Sequence, residues 1–273
     1  MTISKEEARA KAAATYNAAS DHYDEPALSF WDRFGRRTVE RLSLLPGAHV
    51  LDVCSGSGAS ALPAAERVAP EGRVLAVDLA RGLLDLARAK AGRRGLNNIE
   101  FRVGDFEELG LPDDSFDAVI CVFGIFFVPD MSRAAAELWR MVRPGGQLAI
   151  TTWGPNFCEP ANTIFWDTVR MERPDLYKGF NPWDRICDPQ SVKAMLKEGG
   201  VDTADVVAES GRHRLKEPDD WWTVVLGSGY RGTIEQLDPG ARERVRQANL
   251  TSVQNSRIRA VDTNVVYAVA RKG

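Results

Sequence analysis

The 273 residues, 44% hydrophobic and 27% charged, have the composition of a globular chain long enough for one large core and an appendage. A formal net charge of −3, with the basic residues of 241–247 alternating with acids and apolar residues, leaves no phosphate-binding stripe and argues against nucleic acid or an anionic membrane as partner. No apolar run approaches the ~18 residues of a membrane span, and residues 1–11 carry Lys5, Glu6, Glu7 and Arg9 in place of a signal-peptide core, so a soluble cytoplasmic protein is expected.

The residues before Ala48 read as helical and aromatic, with Tyr16, Tyr23, Phe30, Trp31 and Phe34 on a mostly polar background, and predict an N-terminal helical lid over 1–46. From Ala48 to Trp153 short apolar runs alternate with amphipathic stretches. The runs are 50–53, 74–77, 99–103, 118–123 and 147–153, and the helical stretches are 59–68, 81–94 and 131–142. Turn signals at Pro46-Gly47, Glu71-Gly72, 112–114 and 143–146 separate them. Successive βα units of this kind predict a parallel sheet covered on both faces. After Trp153 the chain is irregular through Trp166 and Trp183. A helix at 189–198 and strands near 205–215 and 264–271 follow, with a helical insertion at 221–255 over the carboxyl end of the sheet. The organisation expected is therefore one domain over 47–273, with 154–188 and 217–259 as caps on the substrate side.

The strongest local signal is the run Val50-Leu-Asp-Val-Cys-Ser-Gly-Ser-Gly-Ala-Ser60, a strand that ends in a glycine loop and enters a helix. Gly56 and Gly58 permit backbone approach to a ligand and positive φ. Asp78 follows Gly58 by 20 residues, the spacing at which a carboxylate meets a ribose diol. A nucleoside across the first two strand ends is expected. Gly56-x-Gly58-x-x-Ala61 also fits a dinucleotide fingerprint, which makes a nicotinamide-dependent oxidoreductase a rival. Asp52, just before the loop, decides by charge: its field disfavours a pyrophosphate and favours the ammonium and sulfonium of S-adenosyl-L-methionine. Asp105, closing the third apolar run, is placed to accept from an adenine amino group while Phe106 packs on the ring; a turn cap is the alternative role for Asp105.

The ordered motifs Leu51-Asp-Val-Cys-Ser-Gly-Ser-Gly58, Val77-Asp78, Gly104-Asp-Phe106, Phe116-Asp-Ala-Val-Ile-Cys-Val-Phe123 and Leu138-Trp-Arg-Met-Val-Arg-Pro-Gly-Gly146 resemble the class I methyltransferases of the UbiE-like, type 11 group. The resemblance covers roughly 39–153. It implies an α/β fold with a seven-strand Rossmann-like sheet, mostly parallel, whose last antiparallel strand falls at 264–271. It further implies Asp52, Cys54, Gly56 and Gly58 at the methionine end, Asp78 and Leu79 at the ribose, Asp105 and Phe106 at the adenine, and Cys121 to Phe123 beside the methyl group. Many members carry a His pair after the fourth strand, where this chain has Phe126-Phe127.

Methyl transfer from a sulfonium is an in-line displacement that depends on alignment and exclusion of water. A base is needed for an alcohol or a protonated amine, and not for a thiolate, carboxylate or stabilised carbanion. His22, between Tyr16 and Tyr23, is the first candidate for a base or substrate ligand, and Tyr16 for a phenol that holds the methionine carboxylate or orients the acceptor. His49 and His213 read as surface residues. Trp31, Phe126, Phe127 and Trp153 are expected to line the pocket of a small-molecule acceptor attacking through O, N or C. The cysteines 54, 121, 158 and 187 form no C-x-x-C pair and no zinc spacing, so no metal is expected; metalloid methylation through Cys158 and Cys187 has no support in their flanks. A protein that binds S-adenosylmethionine without transferring methyl is the third reading, and oligomeric state is not encoded in any motif.

Overall fold

The computed structural model describes residues 5–273; the first four residues of the expected lid lie outside the described residues. In chain order the described strands are β1 (His49–Val53), β2 (Arg73–Asp78), β3 (Ile99–Val103), β4 (Phe116–Val122), β5 (Val142–Trp153), β6 (Asp205–Glu209), β7 (Arg212–Arg214), β8 (Ala260–Asp262) and β9 (Val265–Arg271). The helices are α1 (Lys5–Ala19), α2 (Phe30–Glu40), α3 (Ala61–Val68), α4 (Arg81–Arg93), α5 (Met131–Met141), α6 (Ala161–Glu172), α7 (Pro189–Glu198), α8 (Pro218–Leu226), α9 (Arg231–Ile234) and α10 (Pro239–Asn255).

Seven strands form one sheet in the order β3-β2-β1-β4-β5-β9-β6. β1 to β5 pair in parallel, and β9 runs antiparallel between β5 and β6, from Gln147 opposite Arg271 to Trp153 opposite Val265. The continuous apolar runs of β1 and β4 have this cause, since helices cover both faces of a parallel sheet. Alternation along β1 sends Leu51 and Val53 to one core, and Val50 to the other with Ala61, Ala64 and Val68 of α3. Asp52, two residues after Val50, therefore points to the α3 side. Caps set the helix starts: Asp188 accepts from the amides of Gln190 and Ser191 ahead of Pro189, and Asp130 accepts from Arg133 at α5.

Several expectations change. The turn expected at 143–146 is part of β5, which runs from Val142 to Trp153. The strand expected over 205–215 divides at Ser210-Gly211, because Asn264 Oδ1 takes the Gly211 amide and the Gly211 carbonyl accepts from Thr263, turning the chain off the sheet. β6 stays in the large sheet, and β7 pairs instead with β8. His213, read as a surface residue, is half-buried in β7, edge-on to Phe30 at 5.0 Å and bonded to the Ala27 carbonyl. Burial holds its pKa below the ordinary value. The N-terminal segment is also of two kinds. α1 packs on α4 and α9, whereas α2 buries Phe30, Trp31 and Phe34 in the main core.

Candidate cofactor and acceptor site

β1 hands the chain to the glycine loop through three left-handed residues, Cys54 (φ 54°), Gly56 (φ 53°) and Gly58 (φ 88°). A side chain at Gly56 or Gly58 would be strained, and at Gly58 its Cβ would lie 3.0 Å from Leu62. Non-glycine residues in this region carry a cost that clusters at functional sites, and the end of β4 repeats the feature at Phe123 (φ 54°). The loop is tied to the next strand by Asp78, whose Oδ2 accepts from the Gly56 amide and whose Oδ1 accepts from the Ala80 amide, each at 2.8 Å. Burial raises the Asp78 pKa, and the backbone amides of Ala80, Gly56 and Leu79 work against that rise.

Asp52 is fully buried. Its Oδ2 accepts from the Ser60 hydroxyl at 2.7 Å, and its Oδ1 has no partner. Burial pushes this carboxyl up to about 7, with a smaller repulsion from Asp78, against the Ser60 hydrogen bond. A buried acceptor with nothing to accept from calls for an explanation. A positive group brought to Oδ1 supplies one, and the ammonium of S-adenosylmethionine is such a group; a pyrophosphate is not.

The third expected seat is covered. Asp105 takes the turn-cap role, accepting at Oδ1 from the Glu107 amide at 2.9 Å. Its Oδ2 is ion-paired with Arg9 of α1, which also reaches Glu108 Oε1 at 2.8 Å. Phe106 is buried beside them.

The aromatic residues close a circuit. Ring centroids run Trp31 to Trp153 at 5.6 Å, Trp153 to Phe157 at 4.2 Å, Phe157 to Trp183 at 5.3 Å and Trp183 to Phe126 at 5.3 Å. The return goes from Phe126 to Phe127 at 5.0 Å, Phe127 to Tyr16 at 5.6 Å, Tyr16 to Tyr23 at 6.4 Å and Tyr23 back to Trp31 at 5.4 Å. All four expected pocket residues and Tyr16 belong to it. Phe123 stacks on Trp153 at 4.0 Å, and the free thiols of Cys54 and Cys121 are hydrogen-bonded to each other. The indole N–H of Trp31 is buried without a partner. Burial holds the phenols of Tyr16 and Tyr23 above their ordinary pKa, so both remain protonated donors.

His22 is not brought to this group. Its Nδ1 lies 2.6 Å from Asp21 Oδ1, and Asp21 is paired with Arg231 of α9, so the ring serves the seam between the end of α1 and α9. His49 is exposed at the start of β1, as expected. The thiols of Cys158 and Cys187 are free, and burial raises both. Sequence reasoning missed the cluster that holds the lid turn to the glycine loop: Lys90, Asp24 and Ser57. The one available signal was that Asp24 follows Tyr23, and no spacing rule links 24 to 57 or 90. It also placed Tyr23 only among the lid aromatics, although a Cβ at Gly56 would lie 3.5 Å from its hydroxyl.

Residues 50–146 match the family described as "Methyltransferase domain". The aklanonic acid methyltransferase DauC of Streptomyces sp. (strain C5) is 37% identical over 137 residues, half of this chain and 62% of that protein. The match thus spans less than two thirds of that relative's length. The demethylmenaquinone methyltransferase of Listeria welshimeri is 36% identical over 161 residues, 57% of this chain and 67% of that protein. The fold is shared with a SAM-dependent methyltransferase from Aquifex aeolicus at a TM-score of 0.52 and 22% identity, covering 70% of this chain and 89% of the other. None of the three is named an oxidoreductase, which leaves the nicotinamide alternative without support. The chain belongs to the class I methyltransferases, and its cofactor is S-adenosylmethionine.

Proposed function

We propose that the protein transfers the methyl group of S-adenosylmethionine to a small, largely apolar acceptor held inside the aromatic circuit. One observation carries the reading: Tyr23 lies against Gly56 of the cofactor loop and is also a member of the circuit, so the two seats share a wall. The names of two relatives, which specify aklanonic acid and demethylmenaquinone, support an organic small molecule as acceptor.

In this reading Asp52 Oδ1 holds the ammonium, Gly56 and Gly58 let the backbone approach the methionine end, and Asp78 uses its remaining lone pairs for the ribose hydroxyls. Phe106 packs on the adenine, and the Asp105 carboxylate acts there only as far as Arg9 leaves it free. When bound, the cofactor supplies an electrophilic methyl on a sulfonium. Cys121 and Phe123 border the place where that methyl lies. Trp31, Trp153, Phe126 and Phe127 exclude water and align the acceptor. The Trp31 indole N–H and the Tyr16 hydroxyl are donors for an oxygen of the acceptor or for the methionine carboxylate. With the Tyr16 and Tyr23 phenols and the Cys54 thiol all raised, none of these supplies a base at neutral pH. The acceptor that suits this site brings its own acidity, as an enol, a phenol, a carboxylate or a stabilised carbanion. The test is incubation of the protein with methyl-labelled cofactor and a metabolite extract. A labelled apolar, acidic product is expected; label only on alkyl amines or on macromolecules would overturn the reading.

A further inference from the structure

We infer that Lys90 is a positioning residue that latches the N-terminal segment onto the cofactor loop; this rests on reading that loop as the seat of the methionine end. Lys90 sits in α4 and is only 8% exposed. A buried ammonium is tolerated only where it is paired and bonded. Its Nζ lies 2.8 Å from Asp24 Oδ1, 2.9 Å from Ser57 Oγ and 3.8 Å from Asp32 Oδ1. The Ser57 hydroxyl donates to the same Asp24 oxygen at 2.7 Å, closing a triangle of hydrogen bonds.

The three corners come from separate parts of the chain: α4, the turn between α1 and α2, and the loop residue between Gly56 and Gly58. Each glycine beside Ser57 is left-handed and conformationally permissive, and the anchor on Ser57 adds a tie to the lid beside the tie that Asp78 makes to the Gly56 amide. Asp24 in turn carries Tyr23, the phenol that lies against Gly56. Lys90 also reaches Asp32 of α2, so one cation is paired with two carboxylates of the lid segment. One cation thus fixes the loop that receives the cofactor and the lid turn that covers it, and the cofactor leaves only when this triangle opens. The aromatic circuit takes Tyr16, Tyr23 and Trp31 from the same segment, so the lid that covers the cofactor loop also closes the circuit.

The experiment uses the whole chain and S-adenosylhomocysteine, with dissociation followed by stopped-flow tryptophan fluorescence, since Trp31 stacks on Tyr23. Lys90→Met and Asp24→Asn should each speed dissociation about tenfold, the scale of one charge-assisted hydrogen bond. The double variant should be no faster than either alone, because both changes break one triangle. Tryptic cleavage after Arg9 and Lys11 should be slowed by S-adenosylhomocysteine in the wild type and not in the variants. A lowered Tm with unchanged dissociation would mean that Lys90 only props the fold, and would overturn the inference. Should Lys90→Met fail to fold, Asp24→Asn decides, since that side chain is 32% exposed. A wild type that does not bind S-adenosylhomocysteine would overturn the cofactor reading itself, whereas binding that is indifferent to both variants sinks the latch alone.

Discussion

The two halves of the proposed site are built in opposite ways. On the cofactor side, Asp52, Gly56, Gly58 and Asp78 lie on two adjacent strands and one loop, and their geometry follows from backbone hydrogen bonds within that βα unit. On the acceptor side, the eight rings of the circuit come from α1, the α1–α2 turn, α2, the ends of β4 and β5, and the segment before α7. The cofactor side leaves a buried carboxyl oxygen unpartnered and keeps strained φ angles. The acceptor side is almost all packing. The first half carries strain and an unmatched buried carboxyl oxygen that a ligand would relieve, and the second half joins core rings such as Trp153 and Phe126 to the exposed ring of Phe127.

That contrast can be broken at either end. Trp153→Ala should cost about 3–5 kcal/mol of stability, the scale for a buried aromatic, because Trp153 is 2% exposed and touches five other rings of the site and core. Denaturant unfolding that shows a loss under about 1 kcal/mol would place the circuit outside the core. Asp52→Asn should do the reverse. It should leave the ligand-free protein as stable or more so, while weakening S-adenosylhomocysteine by roughly 100-fold in calorimetric titration, as a buried charge-assisted contact requires. Equal affinity would remove Asp52 from the ammonium.

Asp78→Ala should weaken the same ligand by roughly 1–3 kcal/mol, partly by freeing the Gly56 amide, and a wild-type affinity would contradict the ribose assignment. Acidity sharpens the point. With Asp52 raised to about 7, the ligand-free fold favours its protonated form, so this group's contribution to stability is full below its unfolded pKa near 4 and is lost as pH rises to about 7. Ligand binding has the opposite sign. Affinity should fall by up to about tenfold per unit as pH drops below 7, and the fall should vanish in Asp52→Asn. The smallest effect is expected for His22→Ala, within about 0.5 kcal/mol in both stability and ligand affinity, as for a surface substitution; a large loss of turnover with stability intact would restore the histidine to the chemistry.

Much of this was readable before any coordinates. The first five strands, the helix at 189–198 and the loop from Val50 to Ser60 all carry local signals, namely apolar runs, caps and glycines. The strand expected at 205–215 was misread because its break depends on Asn264, 53 residues past Gly211. Asp105 was legible as an acid at a strand end and not as a partner of Arg9, since nothing in 9–105 hints at that distance. The circuit was legible as a surplus of aromatics. Its order was not, because ring contact is set by how α1 and α2 lie across the sheet.

The chain alone carries the motif on which the proposed cofactor seat rests: a carboxylate before a glycine loop and a second one 20 residues after it, at distances set by neighbouring strands. Which residues meet across the lid was decided only by tertiary packing. Lys90 had to be buried before it needed Asp24 and Ser57, and Tyr23 had to be drawn onto Gly56 before the two seats could share a wall. Burial turns a common side chain into a specific contact, and burial is a property of the folded whole.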